Sequence, residues 1–241
     1  MRKAQVGRLI RKDVKMNKRK YTLNEQVFDC INHESAYWIG YLYGEGNCTT
    51  ENKIRLCCAE KDIDLLTNFR NFIGSNKPIK RFLAKNKYPS CGFEIRSWKM
   101  HKTLQRYDLT RPKKDRSAIH IDLIQDEISK DFIRGLFDAD GSFYYDGLHN
   151  NHLFAEITGY MPVLKDVKRI LVRHKVINET KKIVTNGKLF RIRFSQSDCL
   201  KLINFMYDGK PRYLLNRKYG IARSYLDRLN ETTDESEVIV D

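Results

Sequence analysis

The chain has 241 residues, of which 45 are Lys or Arg and 30 are Asp or Glu, a formal net charge of +15. That length supports a genuine hydrophobic core in one large domain or two small ones, and the positive excess points to a polyanionic partner. No run is long and apolar enough to span a membrane and no signal-peptide region opens the chain, so the expected location is intracellular (cytoplasm, nucleoid or an organelle matrix) and not secreted.

The charge is unevenly spread. Arg2, Lys3, Arg8, Arg11, Lys12 and their neighbours load the first twenty residues, which read as a basic arm that follows phosphates. Thr22 to Ile31 is expected as a short helix capped by Thr22 or Asn24, which closes an N-terminal segment of residues 1–35. The apolar run Trp38-Ile39-Gly40-Tyr41-Leu42-Tyr43-Gly44-Glu45-Gly46 follows, then β-like stretches at Asn47 to Glu51 and Ile54 to Ala59. Ile63, Leu65, Leu66, Phe69 and Ile73 recur at helical spacing up to Gly74. Ile79 to Ala84 and Gly92 to Ser97 form a second strand pair, and a helix is expected near Trp98 to Tyr107.

Residues 111–118, with Pro112 and several charges, read as the linker between halves at 36–110 and 119–230. The second half repeats the order: a motif helix, strands at Ser142 to Tyr145 and Leu153 to Thr158, a helix at Val163 to His174, strands paired across Asn186-Gly187, and a helix at Asp198 to Tyr207. Residues 231–241 are acidic and are expected as a solvated, disordered tail. The six cysteines show no C-x-x-C pairing and no zinc spacing, and read as reduced thiols.

The repeat is sharpest in the two apolar runs. Ile133-Arg134-Gly135-Leu136-Phe137-Asp138-Ala139-Asp140-Gly141 matches the first run with its acid 95 positions later, 45 against 140. Each run carries small residues four apart, then a carboxylate, then a glycine. If the two are helices packed side by side, Gly40 and Gly44 on one and Gly135 and Ala139 on the other allow the backbones to approach closely. Glu45 and Asp140 then emerge together at two negative helix poles, which calls for a compensating charge, and a divalent cation is the natural one. A second echo, Phe93-Glu94-Ile95-Arg96 against Phe190-Arg191-Ile192-Arg193, argues for duplication of a unit of about a hundred residues. Alternation in these strands sets Glu94, Arg96, Arg191 and Arg193 opposite the core-facing Phe93, Ile95, Phe190, Ile192 and Phe194. With Asn47 and Thr49 on the first strand, these side chains form a candidate DNA-reading surface, because Arg pairs with guanine and Asn with adenine in the major groove.

The paired motifs resemble the signature of the LAGLIDADG homing endonucleases in their single-chain, two-motif form, over residues 36 to 225. The second copy is close to the namesake string. The first departs from it, with Tyr43 where the family often has Asp, Gly44 for Ala, and Glu45 for the final Asp. The resemblance implies an α+β fold of two pseudo-symmetric αββαββα halves, with the motif helices at the centre and an antiparallel β-saddle for DNA. It implies a monomer that hydrolyses both strands of a long asymmetric double-stranded DNA with Mg²⁺ or Mn²⁺. By that resemblance Glu45 and Asp140 hold metal with the carbonyls of Gly44 and Ala139, and a lysine serves each half: Lys218 in the second, Lys114, with Lys113 next, in the first. A maturase of the same fold that binds intron RNA, and a nuclease-deficient DNA-binding protein, are the competing expectations. The lack of self-splicing ends suggests a free-standing or intron-encoded protein.

Overall fold

The computed structural model describes residues 19–48, 52–116, 126–146 and 152–237. Most of the basic arm, Thr49 and the last linker residues lie outside them. The first half runs α1 (His33–Gly44), β1 (Lys53–Ala59), α2 (Ile63–Phe72), β2 (Lys80–Ala84), β3 (Tyr88–Arg96) and α3 (Trp98–Gln105). The second runs α4 (Asp126–Asp140), β4 (Gly141–Asp146), β5 (His152–Gly159), α5 (Met161–Arg173), β6 (Val184–Asn186), β7 (Leu189–Phe194) and α6 (Gln196–Tyr207), and α7 (Asn216–Glu237) follows. This is the expected α+β arrangement with two antiparallel sheets, ordered β1-β3-β2 and β4-β5-β7-β6.

Local chemistry accounts for these elements. At the start of α1 the Asn32 side chain accepts from the Ser35 amide at 2.9 Å and the Ser35 hydroxyl accepts from the Asn32 amide at 2.8 Å, a reciprocal capping box. Strand alternation buries Ile54, Leu56, Phe93 and Ile95 on one face of the first sheet and Leu153, Ala155, Ile157, Ile192 and Phe194 on one face of the second. Helices cover those faces, as Phe69 of α2 shows by meeting Phe93 edge-on at 6.1 Å between ring centres.

Two expectations are corrected. Thr22 to Ile31 forms turns and not a helix. Its polar groups bond elsewhere: the Asn24 side chain accepts from the Gln26 amide at 3.1 Å, and the Asn24 amide donates to the Ile73 carbonyl at 2.8 Å. Such local side-chain bonds compete with helix formation, while Phe28 anchors the segment in the core. Of the strand foreseen at Asn47 to Glu51, Asn47 bridges Arg55 of β1, and residues 49–51 lie outside the described residues. Of the acidic segment 231–241 foreseen as disordered, residues 231–237 are helical as an extension of α7, and 238–241 lie outside the described residues.

The seam between α1 and α4 joins the halves and is the most extensive helix contact described. A Cβ on Gly40 would overlap the Phe132 carbonyl and stand 3.0 Å from the Leu136 amide nitrogen. A Cβ on Gly135 would overlap the Tyr37 carbonyl and stand 2.9 Å from the Tyr41 amide nitrogen. Subtracting 95 turns Phe132 and Leu136 into positions 37 and 41, so the contact is reciprocal, as an isologous interface is. A Cβ on Gly44 would overlap the Ala139 side chain and crowd the Asp140 carboxyl. Gly135→Ala is therefore expected to cost about 1–3 kcal/mol through overpacking, read as a fall in Tm. Gly220→Ala is the control, since nothing lies within 4 Å of a Cβ there. Equal melting of both variants would contradict the seam.

Candidate active site

Close packing of α1 and α4 delivers Glu45 and Asp140 to one place. A Cβ on Gly44 would stand 2.9 Å from Asp140 Oδ2, so the second acid lies against the residue that precedes the first. Burial raises the pKa of both carboxyls. Lys113 and Lys218 oppose that rise at both acids, while the neighbouring Asp140 adds to it at Glu45. Glu45 is exposed, and Asp140 is half-buried.

The compensating charge expected from a metal is supplied in part by the protein itself. Lys218, only 3 % exposed, donates from Nζ to the carbonyls of Phe137, Asp138 and Gly141 at 2.6, 2.8 and 2.6 Å. These bonds occupy all three ammonium protons and neutralise the negative end of α4. Lys218 therefore acts on the acids through its field. In the first half the lysine at the centre is Lys113, whose Nζ donates to the Gly44 carbonyl. Lys114, the residue favoured from sequence, is exposed one position further along the 3-10 turn Lys113–Asp115. That turn directs Lys113 inward, a detail that spacing alone does not encode.

Sequence reasoning missed two further groups. Asp138, 2 % exposed, accepts at Oδ2 from the Tyr37 hydroxyl at 2.8 Å and from the Leu215 amide at 2.8 Å, which ties both motif helices to the start of α7. Burial pushes its pKa up to about 6 against the pull of Lys218. Its Oδ1 has no hydrogen-bond partner among the described residues. The signal was visible, because the first motif carries Tyr43 at the corresponding place, and Tyr43 instead bonds the Tyr107 carbonyl. Arg116, buried with its guanidinium 5.5 Å from the Tyr43 ring centre, is the second. No sequence pattern distinguished it from the other linker cations.

Of the six residues selected as DNA readers, Thr49 lies outside the described residues and five are placed. Asn47, Arg96 and Arg193 are exposed, and Glu94 and Arg191 are half-buried, on the sheet faces that turn away from the core. Arg191 pairs with Glu156 at 3.4 Å, and Arg193 donates to the Tyr144 hydroxyl at 2.8 Å, so both are held in place by the second sheet.

The donor set suits a hard cation. Two carboxylates and helix-end carbonyls are oxygen ligands, and Lys113 shows that the Gly44 carbonyl already faces a cation position. No cluster of three or more His, Cys, Asp or Glu exists among the described residues. A protein-only cage is thus absent there, while Mg²⁺, which retains water and shares substrate oxygens, fits two carboxylates.

No protein-family model matches the sequence, and no curated protein is significantly similar to it. Solved structures are. The LAGLIDADG homing endonuclease I-SmaMI, bound to cleaved DNA, superposes with a TM-score of 0.57 at 13 % identity, covering 87 % of this chain and 92 % of that one. The LAGLIDADG meganucleases I-AabMI and I-CpaMI, bound to uncleaved DNA, each give 0.53, at 15 % and 13 % identity, and each covers 84 % of this chain and 93 % of the other. At such identities the likeness establishes the fold.

Burial lowers the Lys218 pKa from 10.5 to about 8. Between those values the unfolded chain holds more protons than the folded one, so the contribution of Lys218 to stability grows as pH rises from about 8 to about 10.5. Lys218→Met should remove that gain, worth up to about 3 kcal/mol. Parallel stability curves of the two proteins across this window would contradict the assignment.

Proposed function

We propose that this chain, which has the fold of the LAGLIDADG meganucleases, is a metal-dependent endonuclease that hydrolyses both strands of a specific double-stranded DNA as a monomer. The observation that carries this reading is the meeting of Glu45 and Asp140 at the ends of two closely packed helices, with two lysines beside them. The net charge of +15 suits a duplex partner.

In this reading Glu45 and Asp140 hold Mg²⁺ or Mn²⁺, with the Gly44 and Ala139 carbonyls as further ligands. When bound, the metal supplies a Lewis acid for the scissile phosphate and lowers the pKa of its water. The chain's own residues do the rest. Lys113 and Lys218 keep positive charge where the phosphoryl oxygens gain negative charge. Lys218 cannot swing toward the phosphate without breaking its three carbonyl bonds, so its contribution is fixed in place before substrate arrives. Lys113 is less buried and makes a single described bond, which leaves it able to shift to a phosphate oxygen. On the sheets, Arg96, Arg191 and Arg193 present donors to guanine edges or phosphates, and Asn47 to adenine. Glu94 is of the type that accepts from cytosine N4.

Asp140→Asn keeps the shape of the site and removes one anionic ligand. On a duplex selected from a random library, with Mg²⁺, it should slow cutting by at least about 10²-fold, and a chelator should stop the wild-type protein. Equal products from both proteins would count against the reading. Binding of duplex or intron RNA with no cutting under any divalent metal would replace it with a binding function.

A further inference from the structure

The twin helix ends are capped by cations of different kinds. In the second half Lys218 Nζ bonds the Phe137 and Asp138 carbonyls and lies 5.3 Å from the Phe137 ring centre. In the first half Arg116 Nη1 donates to the Tyr43 carbonyl at 2.8 Å and to the Leu42 carbonyl at 3.5 Å, with its guanidinium 5.5 Å from the Tyr43 ring centre. Under the 95-residue repeat, positions 42 and 43 correspond to 137 and 138. Residues 116 and 218 do not correspond in sequence, yet they meet equivalent carbonyls.

Arg116 also reaches the other way. Its Nε donates to the Arg111 carbonyl at 3.2 Å and Nη2 to the Leu109 carbonyl at 3.2 Å, so one buried guanidinium joins the end of α1 to the chain that leaves α3. Every acceptor is a main-chain oxygen. The carbonyl next to Glu45 is left to Lys113, which bonds Gly44. In the second half, among the described residues, Lys218 alone spans the corresponding range, from Phe137 to Gly141. The planar, permanently charged fork of Arg suits fixed binding of several carbonyls, whereas a flexible ammonium suits contact with a moving phosphate.

We propose that Arg116 is a positioning residue that holds the end of α1, and through it the Glu45 carboxylate, in place. The first half thereby divides between Arg116 and Lys113 two tasks that Lys218 combines in the second: capping the helix and setting an ammonium beside the acid. This rests on the nuclease reading above and assigns its two half-sites unequal parts.

The test uses the full chain and a duplex that it cuts, each strand labelled at one end and resolved separately, with Mg²⁺ present. Arg116→Met should slow one strand at least about tenfold more than the other and lower Tm. Lys113→Met should slow the same strand while leaving Tm unchanged, and Arg116→Lys should bring the strand ratio most of the way back. Should Arg116→Met fail to fold, Arg116→Gln, which keeps a donor for the carbonyls but no charge, carries the same comparison. Equal slowing of both strands, an unchanged ratio, or effects of Arg116 and Lys113 on opposite strands would each overturn the proposal alone. A wild-type protein that cuts no duplex would overturn the nuclease reading and this proposal with it.

Discussion

Main-chain contact between α1 and α4 is the constraint from which the rest follows. Gly40 and Gly135 admit the opposite helix so closely that carbonyl oxygens occupy the space of their missing side chains. Two axes held this near each other end in the same small volume, and whatever stands at the end of each is forced together. Glu45 and Asp140 are those residues. Their proximity is therefore a result of packing, and it is sustained by the seam and not by any attraction between the acids.

That arrangement is electrostatically adverse, because two carboxylates share a volume with two negative helix poles. The chain answers with cations, Lys218 and Arg116 buried and Lys113 half-buried, whose donors are turned toward main-chain oxygens: Lys218 toward those of α4, and Lys113 and Arg116 toward those of α1. Each lowers the local negative potential without neutralising a carboxylate by direct pairing, so the acid oxygens remain open to other ligands. Asp138 adds a buried anion to the second half only, and in the first half the corresponding place is held by a tyrosine. The halves thus share a backbone plan while differing in the chemistry that supports it.

Much of this plan was legible in the sequence because it rests on periodicity. The repeated motifs, the strand alternation around Phe93 and Ile192, and the helical spacing of Leu65, Leu66 and Phe69 each reflect a regular backbone, and each was realised. Places where individual side chains redirect the backbone were not legible. Asn24 diverted Thr22 to Ile31 from a helix by bonding its own neighbour. A 3-10 turn rotated Lys113 inward and left Lys114 in solvent. Arg116 serves four carbonyls contributed by α1 and the chain after α3, and no local pattern announces a donor whose partners lie that far apart.

The glycine seam has a further consequence for the molecule's history. Where a glycine opposes a side chain, a second substitution can make room for a first. At Gly40 and Gly135 the opposing atoms are peptide groups, which no mutation removes. Those two positions cannot drift in compensated pairs, whereas side-chain pairs across the seam, such as Tyr37 with Asp138, can. A half from a diverged relative that retained the same two glycines would meet the same backbone surface, so an exchange of halves between such genes would leave only the side-chain pairs across the joint to be matched.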